Sequence, residues 1–358
     1  MISLKFREYV DEYKQKINNA IASIYDIKLK RIKNPFLKDF YLELRDYFLA
    51  GGKRIRPLLC IATYNAFKDK RDDRIIVPSI GTEFLHNASL IHDDIIDKDD
   101  FRRGKPAFHF RFRKYHEKYN LKKMIATDFG NSIGIIGGDS AFISGLEPYF
   151  FNEFETDLNL NAIKLYEQAF TDVTNGVLIE TDMVNQKKIS MEDYIQMISL
   201  KTGSLIEKSI LIGANYSKAN EKFNKSLSTY GVNLGIIFQI IDDILGTFGD
   251  EKLTGKPTDG DIREGKHTCL LIEALNKSND NDKNRILELI EKSEMDENDV
   301  KEVKELFYNT DSINACKERA SLYYQEALAA LDKLKPIINE SESEFYINLL
   351  DFVLNRTF

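Results

Sequence analysis

Along most of the chain, apolar side chains return every three or four residues. Phe84, Ala88, Ile91 and Ile95 fall on one side of a helical wheel, and Leu234, Ile237, Ile241 and Ile244 on one side of another. Alternation of period two, the mark of half-buried strands, is scarce. The pattern breaks at Ala50-Gly51-Gly52, from Lys68 to Asp73, at Arg103-Gly104-Lys105-Pro106, from Gly246 to Pro257 and from Ser278 to Asp282, where turn formers or charges gather. No proline lies between Pro148 and Pro257, so long unbroken helices are permitted there. No Ser/Gly linker or low-complexity tract divides the chain, and the pattern predicts one all-α domain over residues 1–358. Phe108 to Lys123 reads as an extended helix or surface loop without chemistry, and residues 280–358 as amphipathic packing helices.

Composition narrows the function classes. With 358 residues, 43% of them hydrophobic, the chain can bury a large core. A net charge of −7 and 30% charged residues of both signs describe a solvated surface and no basic face, so nucleic acid is not an expected partner. Cys60, Cys269 and Cys316 are few, odd in number and widely spaced, which argues against a disulfide framework or zinc cluster and fits a reducing cytoplasm. The N-terminus is charged from Lys5 onward, unlike a signal peptide, and no continuous apolar run of membrane-spanning length predicts an integral membrane segment.

Chemistry concentrates in a few places. In DDIID, Asp93 and Asp97 are one helical turn apart on one face, with Asp94 beside them. His86 and Ser89 precede Asp93 by seven and four residues, within about 40° of it around the axis, so a polar stripe runs down an otherwise apolar helix. Such a surface calls for a cation, and Mg2+ suits it, because it takes one or two carboxylates and completes its shell with water and phosphate oxygens. A calcium loop is excluded: counted from Asp93, position six is Lys98 instead of glycine and position twelve is Gly104 instead of glutamate. Asp242 and Asp243, flanked by Ile240, Ile241, Ile244 and Leu245, repeat the design downstream. Carboxylates in so apolar a setting require metal or cationic partners.

Cations are well supplied. GGKRIRP places Lys53, Arg54 and Arg56 after a Gly-Gly break, and Arg102 and Arg103 follow DDIID closely; guanidinium forks match diphosphate oxygens. GDIREGKH at 260–267 is no P-loop, since His267 stands where a Mg2+-binding hydroxyl belongs and no strand precedes it. GGDSA at 137–141 lacks the strand context of a nucleophile elbow, which leaves Ser140 as a small helix residue.

In ordered blocks from about Gly51 to His267, the chain resembles the trans-isoprenyl diphosphate synthases, related to farnesyl and geranylgeranyl diphosphate synthases. The blocks are GGKRIRP, FLHNASLIHDDIID with FRRGKP, GGD, LKTGSL, FQIIDDILG, and TGKP downstream. The resemblance implies a large helical bundle around a central cavity, usually a homodimer. It implies that Lys53, Arg56, His86 and Arg103 bind isopentenyl diphosphate. Asp93, Asp97 and Asp242 would hold Mg2+, supported by Asp94 and Asp243. Arg102, Lys201, Thr202, Gln239, Lys256 and Lys266 would contact the allylic diphosphate. The reaction implied is ionisation of the allylic diphosphate, attack by the isopentenyl double bond and loss of a proton, without a protein nucleophile. A non-catalytic partner subunit of such an enzyme and a terpene cyclase are the rival functions. The first would be expected to lose aspartates or arginines, and the second does not need Lys53, Arg56, His86 and Arg103.

Three departures stand out. Gly246 replaces the third aspartate of many relatives, Val177 stands where glutamine is usual, and the segment from Phe108 to Gly130 is longer than usual. For product length, the family places a bulky aromatic four or five residues before Asp93 to stop growth early. Here Ser89 and Ala88 occupy those positions, and a geranylgeranyl or longer product is expected over farnesyl, with Phe142 as an alternative floor.

Overall fold

The computed structural model describes residues 4–186, 189–249, 258–292 and 294–356, and the proposed contact Lys256 lies outside them. The described residues are helical almost throughout, which bears out the all-α expectation. They form two compact units, one built from residues up to Glu167 together with Ser209–Ala219, the other from Gln168–Lys208 and from Asn220 onward.

In the first unit, the helix Leu4–Arg31 buries Phe6, Tyr9, Tyr13, Ile17, Ile21 and Tyr25, a stripe of three- and four-residue steps. Pro35–Leu49 begins at Asn34, whose side chain accepts from the backbone N–H of Phe36 and Leu37, with Pro35 at the position where a missing N–H costs nothing. The helix Gly81–Ile96 carries DDIID at its C-terminal end and packs on Ala126–Ser144. That contact is close because glycines line it. A β-carbon on Gly138 would lie 2.1 Å from the His92 ring and one on Gly134 2.6 Å from the Ile95 side chain, while one on Gly137 would meet Phe108, outside the acidic helix, at 2.4 Å. The GGD block is therefore a packing device.

Phe108–Lys118 is a helix that contributes to the core, since Phe108, His109 and Phe112 are buried. Its aromatic rings pack against those of the Pro35–Leu49 helix, with Phe40 and Phe108 centroids 5.9 Å apart. The only strands among the described residues are Phe101–Arg102 and Lys105–Pro106, paired as a tiny antiparallel hairpin. Its two turn residues, Arg103 and Gly104, have φ of 55° and 70°, the left-handed pair that a tight hairpin needs.

In the second unit, Asn224–Phe248 packs along Ser312–Asp332 and also contacts Glu340–Leu354. The segment Glu221–Phe248 is long and apolar enough to cross a membrane by composition, yet 61% of its most apolar window is buried, as befits a core helix. Tyr230 donates to the Tyr346 carbonyl (2.8 Å), pinning the C-terminal helix to it. LKTGSL enters a π-helical turn, Ser199–Gly203, where Gly235 and Gly203 allow backbones to touch: a β-carbon on Gly235 would sit 2.4 Å from the Gly203 Cα. Such turns recur at functional sites.

Candidate active site

The first acidic helix divides its carboxylates by orientation. Asp94 is fully buried and accepts hydrogen bonds from Tyr47 (3.2 Å) and Arg102. Arg102 also reaches Asp99 at 3.4 Å. Burial alone would favour losing the Arg102 proton, but Asp94, Tyr47 and Asp93 outweigh it and hold the group charged above its ordinary range. Asp94 thus anchors the hairpin to the helix, while Asp93 and Asp97 are half-buried at the helix end.

The cationic loop is likewise split. Arg54 is only 2% exposed and is spent inside the core, bonded to Glu83 (2.7 Å), Asn18 and the Phe48 carbonyl. It is therefore not a phosphate ligand within the GGKRIRP cluster, because its φ of 54° and its buried partners commit it to the fold. Lys53 is exposed on the same loop, and Arg56 is half-buried. Arg103 donates to the Gly51 carbonyl at 3.0 Å, and its guanidinium would lie 3.4 Å from a β-carbon on Gly52. Gly51 and Gly52, at φ of 113° and 116°, are conformations that only glycine adopts easily.

His86 lies amid these cations. Burial, then Arg56, Arg103, Arg102 and Arg54 in turn, hold its pKa well below the ordinary histidine value. Arg56 is pulled down to about 10, first by burial, with Arg103 adding to the effect and Glu83 opposing it. Arg103 is lowered as well, again chiefly by burial. Like charges held together at this energetic cost make a standing site for an anion. Downstream of it on the helix, Ala88 is fully buried, whereas Ser89 is half-buried and donates to the His86 carbonyl (2.8 Å).

The second acidic helix brings several predicted residues into one network. Asp243, 4% exposed, accepts from Tyr194 (2.6 Å), Gln239 (3.0 Å) and the Cys269 backbone N–H (3.1 Å). Burial, aided by Asp261, raises its pKa to about 7 against these three hydrogen bonds. Thr202 donates to Gln239 (2.9 Å), so the π-helical turn is tied to the aspartate through two bonds. Lys201 pairs with Glu180, and Lys266 with Glu264 at 2.8 Å. At Gly246, a β-carbon would stand 3.3 Å from an Asp261 carboxylate oxygen. An Asp261 carboxylate thus lies beside position 246, which carries none of its own. Asp242, the outward member of the pair, is bonded to Arg356, which the periodicity had assigned to a packing helix.

Among the described residues, no three or more His, Cys, Asp or Glu side chains converge into a complete metal cage. The donor chemistry nevertheless fits Mg2+: hard carboxylates, one or two to a helix, with Asp94 and Asp243 already satisfied by protein donors and Asp93, Asp97 and Asp242 more accessible. Tyr47, Tyr194 and Arg356 had no sequence signal, since each reaches its aspartate from a segment without a motif, and Asp261 lies in GDIREGKH, whose sequence resembles only a failed P-loop.

Residues 38–307 match the family model described as polyprenyl synthetase. The chain belongs to this family. It is 31% identical to the geranylgeranyl diphosphate synthase of Saccharolobus solfataricus, over 99% of this chain and 98% of that one. It is 33% identical to a short chain isoprenyl diphosphate synthase of Methanocaldococcus jannaschii, over 89% of each. A solved geranylgeranyl pyrophosphate synthase from Corynebacterium glutamicum, complexed with isoprenyl diphosphate and magnesium, superposes with a TM-score of 0.89 at 27% identity, covering 97% of this chain and 99% of that one. The polyprenyl synthetase match spans both acidic helices, the glycine loop and the π-helical turn, and makes the chain a prenyltransferase of the isoprenyl diphosphate synthase type.

Proposed function

We propose that this prenyltransferase condenses isopentenyl diphosphate with allylic diphosphates to yield geranylgeranyl diphosphate, using Mg2+. The observation that carries the reading is the cluster of Arg56 and Arg103 around a neutral His86, an anion site beside but separate from the acidic end of the same helix. A terpene cyclase ionises one diphosphate and has no use for this second anion site.

In this mechanism Lys53, Arg56 and Arg103 hold the diphosphate of isopentenyl diphosphate, and His86, lacking a charge, donates a neutral N–H. Lys201, Thr202, Gln239, Lys266 and Lys256 bind the allylic diphosphate, and Arg102, kept charged by Asp94, is assigned to the same group. Asp93, Asp97 and Asp242 are the metal ligands. Mg2+, when bound, supplies positive charge that stabilises the departing diphosphate. The allylic C–O bond breaks, with its electron pair leaving on the diphosphate. The isopentenyl double bond forms the new C–C bond to the allylic carbon, and the released diphosphate accepts the proton whose loss restores a double bond. No covalent bond to the protein is needed.

Ser89, accessible where Ala88 is buried, supports a product longer than farnesyl. Exposed Ile135, Ile136 and Ile143 on one helix support a homodimer, and three buried free thiols support a reducing cytoplasm. The test is to incubate purified protein with Mg2+, isopentenyl diphosphate and five-, ten- and fifteen-carbon allylic primers and read the products by mass. A twenty-carbon product is expected; no elongation of any primer would defeat the reading.

A further inference from the structure

Arg356 stands nearly at the end of the chain, 114 residues from its partner Asp242. Its Nη1 donates to Asp242 Oδ1, and its guanidinium carbon lies 5.0 Å from the centroid of Phe238, one turn earlier on the same helix. The Arg356 side chain is 11% exposed and that of Asp242 34%, so the contact is enclosed on the arginine side and open on the carboxylate side. This is not a loose tail. The helix Glu340–Leu354 is pinned to Asn224–Phe248 through Tyr230 and Tyr346, whose rings are 4.9 Å apart, and its last turn closes with the Asn355 N–H on the Asp351 carbonyl (3.0 Å). Packing therefore delivers the guanidinium to the carboxylate.

A guanidinium and a divalent cation compete for the same carboxylate oxygens. Because the carboxylate side of the pair is open, a metal ion can approach Asp242 while Arg356 holds it from the enclosed side. We infer that Arg356 is a resident counter-cation that neutralises Asp242 while no metal is bound and that the metal displaces on loading. This rests on the proposed role of Asp242 as a metal ligand. The exchange trades one ion pair for another without covalent change. It sets the metal concentration at which the second acidic helix loads, and it frees the end of the C-terminal helix when it does.

The experiment is a Mn2+ titration of the full-length protein without substrate, followed by electron paramagnetic resonance, for the wild type, Arg356→Gln, Arg356→Lys and Asp242→Asn, each checked by circular dichroism. Removing the competing charge is expected to tighten one class of Mn2+ site by about tenfold in Arg356→Gln, with Arg356→Lys between it and the wild type. Asp242→Asn should abolish that class. An unchanged or weaker Mn2+ affinity in Arg356→Gln, with the site lost in Asp242→Asn, overturns the inference alone. A site that survives Asp242→Asn overturns the metal role of Asp242 and the inference with it. Should Arg356→Gln not fold, hydrogen exchange of the wild type decides: Mg2+ should accelerate exchange at the end of the C-terminal helix, and unchanged or slower exchange there overturns displacement.

Discussion

Neighbouring cations in one short loop have opposite fates. Arg54 is buried against Glu83, and Arg56 borders the anion site. Arg54→Ala leaves the buried Glu83 carboxylate without its cation and with only the Asn87 amide as a side-chain donor, and a loss of about 3–5 kcal/mol in chemical denaturation is expected. Joint replacement by Arg54→Met and Glu83→Gln should restore most of it; a loss below 1 kcal/mol in the single variant, about the value of an exposed pair, would show that the pair is not structural. His86 predicts a pH dependence. Its folded pKa is depressed, so the unfolded chain takes up a proton near its ordinary value while the folded chain does not, and stability present above about pH 6.5 is lost as pH falls below it. Thermal unfolding of His86→Gln should decline less steeply between about pH 6.5 and pH 5 than that of the wild type. Parallel curves would contradict the burial of a neutral imidazole among arginines. At Ser89, a phenylalanine should shorten the product in the mass assay, and an unchanged product would move the floor to another helix.

At the scale of elements, the acidic helix Gly81–Ile96 owes its placement to glycines on its neighbour. Gly138→Ala puts a methyl group into the His92 ring, which immediately precedes Asp93, and His92 is also held by a bond to the Ile135 carbonyl (3.0 Å). Overpacking of this kind costs about 1–3 kcal/mol. Gly138→Ala should therefore lower both the melting temperature and kcat/KM, and adding His92→Ala should recover the melting temperature by relieving the clash. If Gly138→Ala behaves as wild type in both measurements, the contact is slack. The break at Arg103-Gly104-Lys105-Pro106 is the turn and second strand of the hairpin at 101–106, whose two residue pairs are too short for alternation to register. Of the two alternatives for Phe108 to Lys123, extended helix or surface loop, the structure has a helix over Phe108–Lys118, and its Phe108 and Phe112 belong to the core. Its lysines and arginines mask the apolar face in the sequence; Lys114 and Lys118 stay exposed, while Arg111 is drawn in by Glu43 and the Pro106 carbonyl.

For the whole molecule, ligands that bind only the native state raise its stability by mass action. Mg2+ together with a non-ionisable allylic diphosphate analogue should raise the melting temperature by more than the sum of their separate shifts, with about 2.7 kcal/mol expected at a hundredfold excess over the dissociation constant. Additive or smaller shifts in calorimetry would mean that metal and diphosphate do not bind as one complex. The all-α class and both acidic helices were legible in the sequence because helical periodicity and charge on an apolar stripe are local properties, written within two turns. His86, Arg56 and Arg103 were legible as candidates through ordered motifs. Helical spacing already separates Asp93 and Asp97, on one face, from Asp94 beside them, but not what packs against each. Only the tertiary structure decides that, by burying Asp94 against Tyr47 and Arg102 and by bringing Asp261 to Gly246 and Arg356 to Asp242. Tyr47 and Arg356 come from distant segments whose own sequences carry no signal, and their polar groups acquire meaning only when packing brings them to the carboxylates.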